Sequence, residues 1–161
     1  MAIRPATQDD HEAIWDILKP IFREGETYPI DPNVSQDDAL AYWFASHKQV
    51  YVYEDEMGII GTYYLCPNST GPADHVANCG YATHPKARGK GVASQMCLHS
   101  FEAAKLAGFR GMQFNLVVAT NTIAFGLWQK LGMELVGTLK GAFAHPTLGD
   151  VDAHVMFKRL D

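Results

Sequence analysis

Arg88-Gly89-Lys90-Gly91-Val92-Ala93 is the stretch against which the rest of the chain is read. It sets two glycines and the basic groups of Lys86, Arg88 and Lys90 between an apolar run and a helical pattern. The first turn of a helix leaves backbone N–H groups without partners, and their aligned dipoles make a positive field. A phosphate group can therefore be held there by main chain alone. Glycine allows close approach of such a ligand. Taken alone, the same residues equally describe a solvated strand-to-helix loop, so the neighbouring segments must decide.

His75 to Thr83, ahead of the loop, has the composition of a strand, and His84-Pro85 ends it. Behind the loop, Val92 to Ala107 is rich in helix formers and Gly108 is placed to stop the helix. Met112 to Val118 is again strand-like. A strand-helix-strand unit of this length predicts a right-handed crossover between parallel strands.

Toward the N-terminus, Val50 to Glu54 and Ile59 to Leu65, joined by Asp55-Glu56-Met57-Gly58, read as a hairpin. Before it, Ser35-Gln36-Asp37-Asp38 opens a helix, and Arg23 to Asn33 is irregular, with Glu24, Glu26, Tyr28 and Asp31 among prolines and a glycine. Thr7-Gln8-Asp9-Asp10 caps an amphipathic helix whose apolar face carries Ile14, Ile17, Leu18, Ile21 and Phe22, and Pro20 is expected to bend or shorten it. Ala2 to Pro5 is extended. On the C-terminal side, Asn121 to Leu131 is a further helix. Leu135 to Leu139 and Val151 to Leu160 are closing strands around a loop containing Pro146 and Gly149. The order predicts an α/β fold in one domain, residues 1–161, with a mixed central sheet flanked by helices.

The bulk properties narrow the function classes. At 161 residues with 47% hydrophobic and 19% charged content, the chain is globular in composition. A net charge of −5 argues against nucleic acid as a partner, which makes the basic loop a local contrast. Cys66, Cys79 and Cys97 have neither zinc nor redox spacing and are expected as buried thiols. The seven histidines form no metal motif, and no metal is expected. No apolar run of about 18 residues occurs, so a cytoplasmic protein without membrane association is expected.

With these elements in place, the chain resembles the GNAT family of acyl-coenzyme A dependent N-acyltransferases. The matching blocks are Ile3-Arg4-Pro5-Ala6-Thr7, Thr83 through Ala93, Asn121-Thr122-Ile123-Ala124, and Leu127 through Met133. Asp74 through Tyr81, Gln113 through Asn121 and Gly25-Glu26-Thr27-Tyr28-Pro29 are similar to the fungal N-acetyltransferases that detoxify the proline analogue azetidine-2-carboxylate, and to related bacterial GNAT proteins. Neither a P-loop nor a dinucleotide fingerprint is present.

The resemblance implies acetyl-CoA as cosubstrate. It places the coenzyme's pyrophosphate on the backbone amides of Arg88, Gly89, Lys90, Gly91, Val92 and Ala93, and its thioester arm along Tyr81, Ala82 and Thr83 with Asn121 and Trp128. A main-chain N–H of the splayed strand at Tyr81 would polarise the thioester carbonyl, a type of contact worth about 3 kcal/mol. Many members carry a tyrosine as acid where this chain has Trp128, whose indole does not ionise usefully. The expected acceptor is a small-molecule amine, an amino acid or analogue, its amine positioned by Asn78 and its carboxylate partnered by Asn115, with Glu26 and Tyr28 in its pocket. Acylation of a protein amine, or coenzyme A binding without catalysis, are the other readings. A homodimer through Ala142 to Asp150 is compatible with the family.

Overall fold

A computed structural model describes residues 2–161 of the chain. Strand β1 (Ala2–Pro5) leads through a single 3-10 turn into helix α1 (His11–Glu24) and helix α2 (Gln36–Trp43). Strands β2 (Gln49–Asp55), β3 (Gly58–Pro67) and β4 (Val76–Thr83) follow, then α3 (Val92–Leu106), β5 (Gly111–Val118), α4 (Thr122–Lys130), β6 (Glu134–His145) and β7 (Gly149–Arg159). They form one seven-stranded sheet in the order β1-β2-β3-β4-β5-β7-β6. All pairings are antiparallel except β4 with β5, which is the crossover expected around α3. The fold is therefore the mixed α/β sandwich that the element order predicts.

Each face of the sheet carries its own core. Ile14, Trp15, Ile17, Leu18 and Phe22 of α1 and Trp43 of α2 cover one face, over Val50, Val52, Tyr64 and Ala82. Met96, Cys97, Phe101 and Ala104 of α3 and Trp128 of α4 cover the other, over Tyr63, Cys79, Phe114 and Met156. Successive side chains of a strand point to opposite faces. Tyr81 and Cys79 thus belong to the α3/α4 core, whereas Asn78, Gly80 and Ala82 look toward α1 and α2.

Two expectations are corrected. Helix α1 is not shortened at Pro20 but continues to Glu24, because its apolar stripe is held against the sheet and outweighs the single lost backbone bond. The segment expected as a loop after Leu139 is instead the second half of a long β6–β7 hairpin. Phe143, Ala144 and His145 pair with Val151, Asp150 and Gly149, and a register shift lies between Leu139 and Phe143. The shift takes up the irregular Lys140-Gly141-Ala142 stretch without ending the strand.

Candidate active site

β4 and β5 are joined at only two register positions, Val76 with Gly111 and Ala77 with Met112. Beyond these the strands part. The His84 amide donates to the Ile60 carbonyl at 2.9 Å and the Asn68 amide to the Val76 carbonyl at 2.8 Å. In an antiparallel ladder such pairs recur every second residue. Even-numbered residues of β4 therefore spend their backbone groups on β3, while Cys79, Tyr81 and Thr83 turn theirs into the opening. On the far side, β5 has a bulge between Phe114 and Val117 in its pairing with β7, next to Asn115. A bulge bends the strand and re-aims side chains, and it helps keep the two strands apart here.

The basic loop lies between β4 and α3. Gly89 and Gly91 have φ of 75° and 73°, a left-handed conformation that side chains disfavour, and these turns bring the chain into α3. The first helical bond runs from the Gln95 amide to the Gly91 carbonyl at 3.0 Å. Among the described residues, the amides of Gly89, Gly91, Val92 and Ala93 have no hydrogen-bond acceptor. Those of Arg88 and Lys90 donate to the Pro85 carbonyl at 3.3 Å and the Ala87 carbonyl at 3.2 Å. The expected six-amide cradle thus reduces to the glycine amides and the first turn of α3, with the exposed Arg88 and Lys90 side chains beside it. These free donors at a helix start fit a pyrophosphate.

Across the opening, Asn121 caps α4, its side chain accepting from the Ala124 amide at 3.2 Å. Trp128 is buried, its ring 5.1 Å from that of Tyr81 and 5.4 Å from that of Phe114. The Tyr81 phenol pairs with the Ser100 hydroxyl at 2.7 Å inside this core. Burial raises the Tyr81 pKa well above its usual value, so the phenol stays protonated. The nearby Cys97 thiol is pushed up to about 12 by burial, and Cys79 is also raised, which leaves no thiolate nucleophile in the region.

On the opposite face, Asn78 and Asn115 line one cavity of about 320 Å3, together with Tyr42, Lys48, Tyr64 and Asn68. This lies at the lower end of the roughly 300–1,000 Å3 usual for ligand clefts. The two asparagines expected at the acceptor site are thus brought together. Asn115 is already engaged, donating to Asn68 Oδ1 at 2.6 Å and accepting from Gln113 at 2.9 Å. Tyr28 reaches over from the α1–α2 connection and donates its hydroxyl to the Tyr81 carbonyl at 2.6 Å. Burial holds that phenol protonated by raising its pKa well above the usual range.

Glu26 is not brought into this cavity. It is half-exposed and its carboxylate lies 3.9 Å from His145 Nε2, across from the β6–β7 hairpin. Asp31 caps its own turn, accepting from the Asn33 amide at 2.9 Å. Sequence reasoning missed Lys48, Tyr42, Tyr64 and Asn68, which come from four different segments with no spacing motif to join them. The His145 side chain is largely buried at the end of β6, where its Nε2 faces Glu26.

A family profile described as the acetyltransferase (GNAT) family matches residues 11–133. The chain belongs to that family. The GNAT fold is shared with a GCN5-related N-acetyltransferase from Kribbella flavida at 38% identity, covering 98% of this chain and 96% of that one with a TM-score of 0.91. A putative acetyltransferase, yncA, from Salmonella typhimurium, solved with its cofactor acetyl-CoA, superposes at a TM-score of 0.86 over 100% and 94% of the two chains; at 21% identity the likeness is one of fold. The N-acetyltransferase aca1 of Schizosaccharomyces pombe is 29% identical over 134 residues, 73% of this chain. The chain spans 64% of the length of that curated relative. No helix is long and apolar enough to cross a membrane.

Proposed function

We propose that this GNAT protein is an N-acetyltransferase that moves acetyl from acetyl-CoA to the amine of a small molecule of the amino-acid class, by direct attack in a ternary complex. The observation that carries this reading is the parting of β4 from β5 immediately beside Asn78. In this reading the coenzyme would run from the free amides at the start of α3 along the opening, and the acceptor would sit in the cavity lined by Asn78 on the α1/α2 face. Gly89, Gly91, Val92 and Ala93 would hold the pyrophosphate, and the Tyr81–Thr83 edge, Asn121 and Trp128 would line the arm. Acetyl-CoA supplies an acetyl group already activated as a thioester.

Each residue then has a limited task. The odd-numbered backbone amides of β4 point into the opening, where a fixed donor stabilises charge developing on a carbonyl oxygen. The Tyr28 hydroxyl satisfies the Tyr81 carbonyl, so that this acceptor does not oppose that charge. Asn78 orients the amine by a hydrogen bond, and Tyr28 and Trp43, whose rings meet edge to face at 6.0 Å, keep this side rigid. No carboxylate lines the cavity; its lining includes His47, and the amine's proton leaves by way of water. Trp128 serves packing and does not protonate the leaving thiolate.

The test is an acceptor screen that detects free thiol, including L-proline analogues, run on the wild type and on Asn78→Ala. Thiol release is expected only when an amine is supplied. Asn78→Ala should lower kcat at least tenfold while acetyl-CoA binding stays within twofold. Trp128 at the place of the usual acid favours a second reading, a coenzyme A binding protein without catalysis. Binding of acetyl-CoA with no amine-dependent thiol release across the panel would select it.

A further inference from the structure

Lys48 stands between α2 and β2, in none of the motifs that mark the family. Its Nζ donates to the Tyr42 carbonyl at 2.7 Å. The same ammonium lies 3.5 Å from the centroid of the Tyr42 ring and 4.0 Å from that of Tyr64. The two phenols stand perpendicular, with ring centroids 6.1 Å apart and hydroxyls 3.3 Å apart. Ring faces attract a cation, and more so when it is partly removed from water. The cage fixes the position of a side chain that would otherwise be free to sweep through solvent.

What the cage lacks is a counter-charge. The side chain is half-buried, and among the described residues no carboxylate forms an ion pair with it. Burial without a partner carries a cost for the charged form and lowers the Lys48 pKa. The cavity that Lys48 lines contains no acidic side chain; its other polar groups are the amides of Asn68, Asn78 and Asn115, the phenols of Tyr42 and Tyr64, and the exposed His47 imidazole, which has no place in the aromatic cage. An ammonium carries three donors and only one is spent on Tyr42. A cysteine, Cys66, shares the lining, but burial raises its thiol pKa in spite of Lys48, so Lys48 does not maintain a thiolate there.

Resting on the acetyl-transfer reading, we propose that Lys48 is the specificity-determining residue of the acceptor cavity, pairing with a carboxylate carried next to the acceptor amine. The amide of Asn78 then holds the amine at the opening of the sheet while the caged ammonium holds the acid. Asn115, already committed to Asn68 and Gln113, shapes the wall between them. The substrate class is an α-amino or imino acid; the corresponding amine or amide, lacking the anion, leaves the ammonium without its partner.

The test compares L-proline with L-prolinamide, in wild type, Lys48→Met and Lys48→Arg. Binding of both ligands is measured by calorimetry on the coenzyme A complex, and kcat and KM are measured for both as acceptors. Lys48→Met keeps an unbranched side chain, one atom shorter, in the aromatic cage and removes the ammonium together with its hydrogen bond to the Tyr42 carbonyl, a loss that Lys48→Arg controls for. For the wild type, a preference for the acid over the amide of at least tenfold is expected in affinity and in kcat/KM. Lys48→Met should abolish that preference, acting chiefly on the KM of the acid, and Lys48→Arg should restore at least part of it. An acid preference that survives in Lys48→Met overturns the proposal even if acetyl transfer is fully active. Acid binding that depends on Lys48 without any turnover upholds the anion site and removes the transfer reading instead. Absence of any acid preference in the wild type also overturns the proposal.

Discussion

At the scale of single residues, close approach and charge position decide most of the site. A Cβ added at Gly80 would lie 2.5 Å from Cε1 and 2.7 Å from Cζ of Tyr64. That ring packs against Trp43, with centroids 4.9 Å apart, and must shift toward the cavity it lines to make room. Gly80→Ala should therefore cost about 2 kcal/mol of stability, read as a lowered urea midpoint at unchanged slope. Arg88 is exposed and takes part in no ion pair among the described residues, so its charge is available beside the free amides of the loop. Arg88→Glu is expected to weaken acetyl-CoA binding at least tenfold, about 1.4 kcal/mol, by calorimetry. Unchanged affinity would remove the loop from the coenzyme site.

At the scale of elements, the start of α1 is held by a small charged network. The Asp10 carboxylate accepts from Arg4 Nη1 at 2.8 Å, from Arg4 Nη2 at 2.9 Å and from the Thr7 amide at 2.7 Å, tying β1 to the helix entrance. The Arg4 guanidinium, foremost through these hydrogen bonds, lowers the Asp10 pKa from 3.8 to about 2. The folded value is the lower one, so the contribution is fully present above the unfolded pKa and disappears as pH falls through about 2. Asp10→Ala should destabilise the protein by about 1–2 kcal/mol near neutral pH, the loss of a cap plus a part-exposed ion pair. The gap between wild type and variant, followed by urea unfolding, should hold down to about pH 4 and close toward about pH 2. A gap that widened on acidification would contradict this assignment.

At the scale of the whole molecule, two cores on opposite faces clamp a sheet that is left open at β4 and β5, so a ligand entering the opening joins parts that the chain itself does not bond. If acetyl-CoA binds there, linkage requires it to stabilise the fold by about 2.7 kcal/mol at a hundred times its Kd. For a domain of this size that corresponds to about 5–10 °C in Tm, and a thermal scan without such a shift would count against the binding site. Much of this frame was legible in the sequence, because it rests on local signals. Alternation and helical spacing marked the elements, Ser35 and Asn121 proved to be caps, and Gly89 and Gly91 marked the turn into α3. The His75 to Val118 segment implied the parallel pair. Its local reading failed where distant contacts outweighed a local preference, at Pro20 within α1 and in the β6–β7 hairpin beyond Leu139. Local signals along the chain thus set the elements, their order and the basic loop, since a loop and the helix it opens are contiguous in the chain. Only the tertiary structure decided that Asn78 and Asn115 face one cavity, that Tyr28 closes on the Tyr81 carbonyl, and that Lys48 enters from beyond α2 without a counter-charge. Those contacts join residues far apart in the chain, and sheet register and packing, not spacing, bring them together.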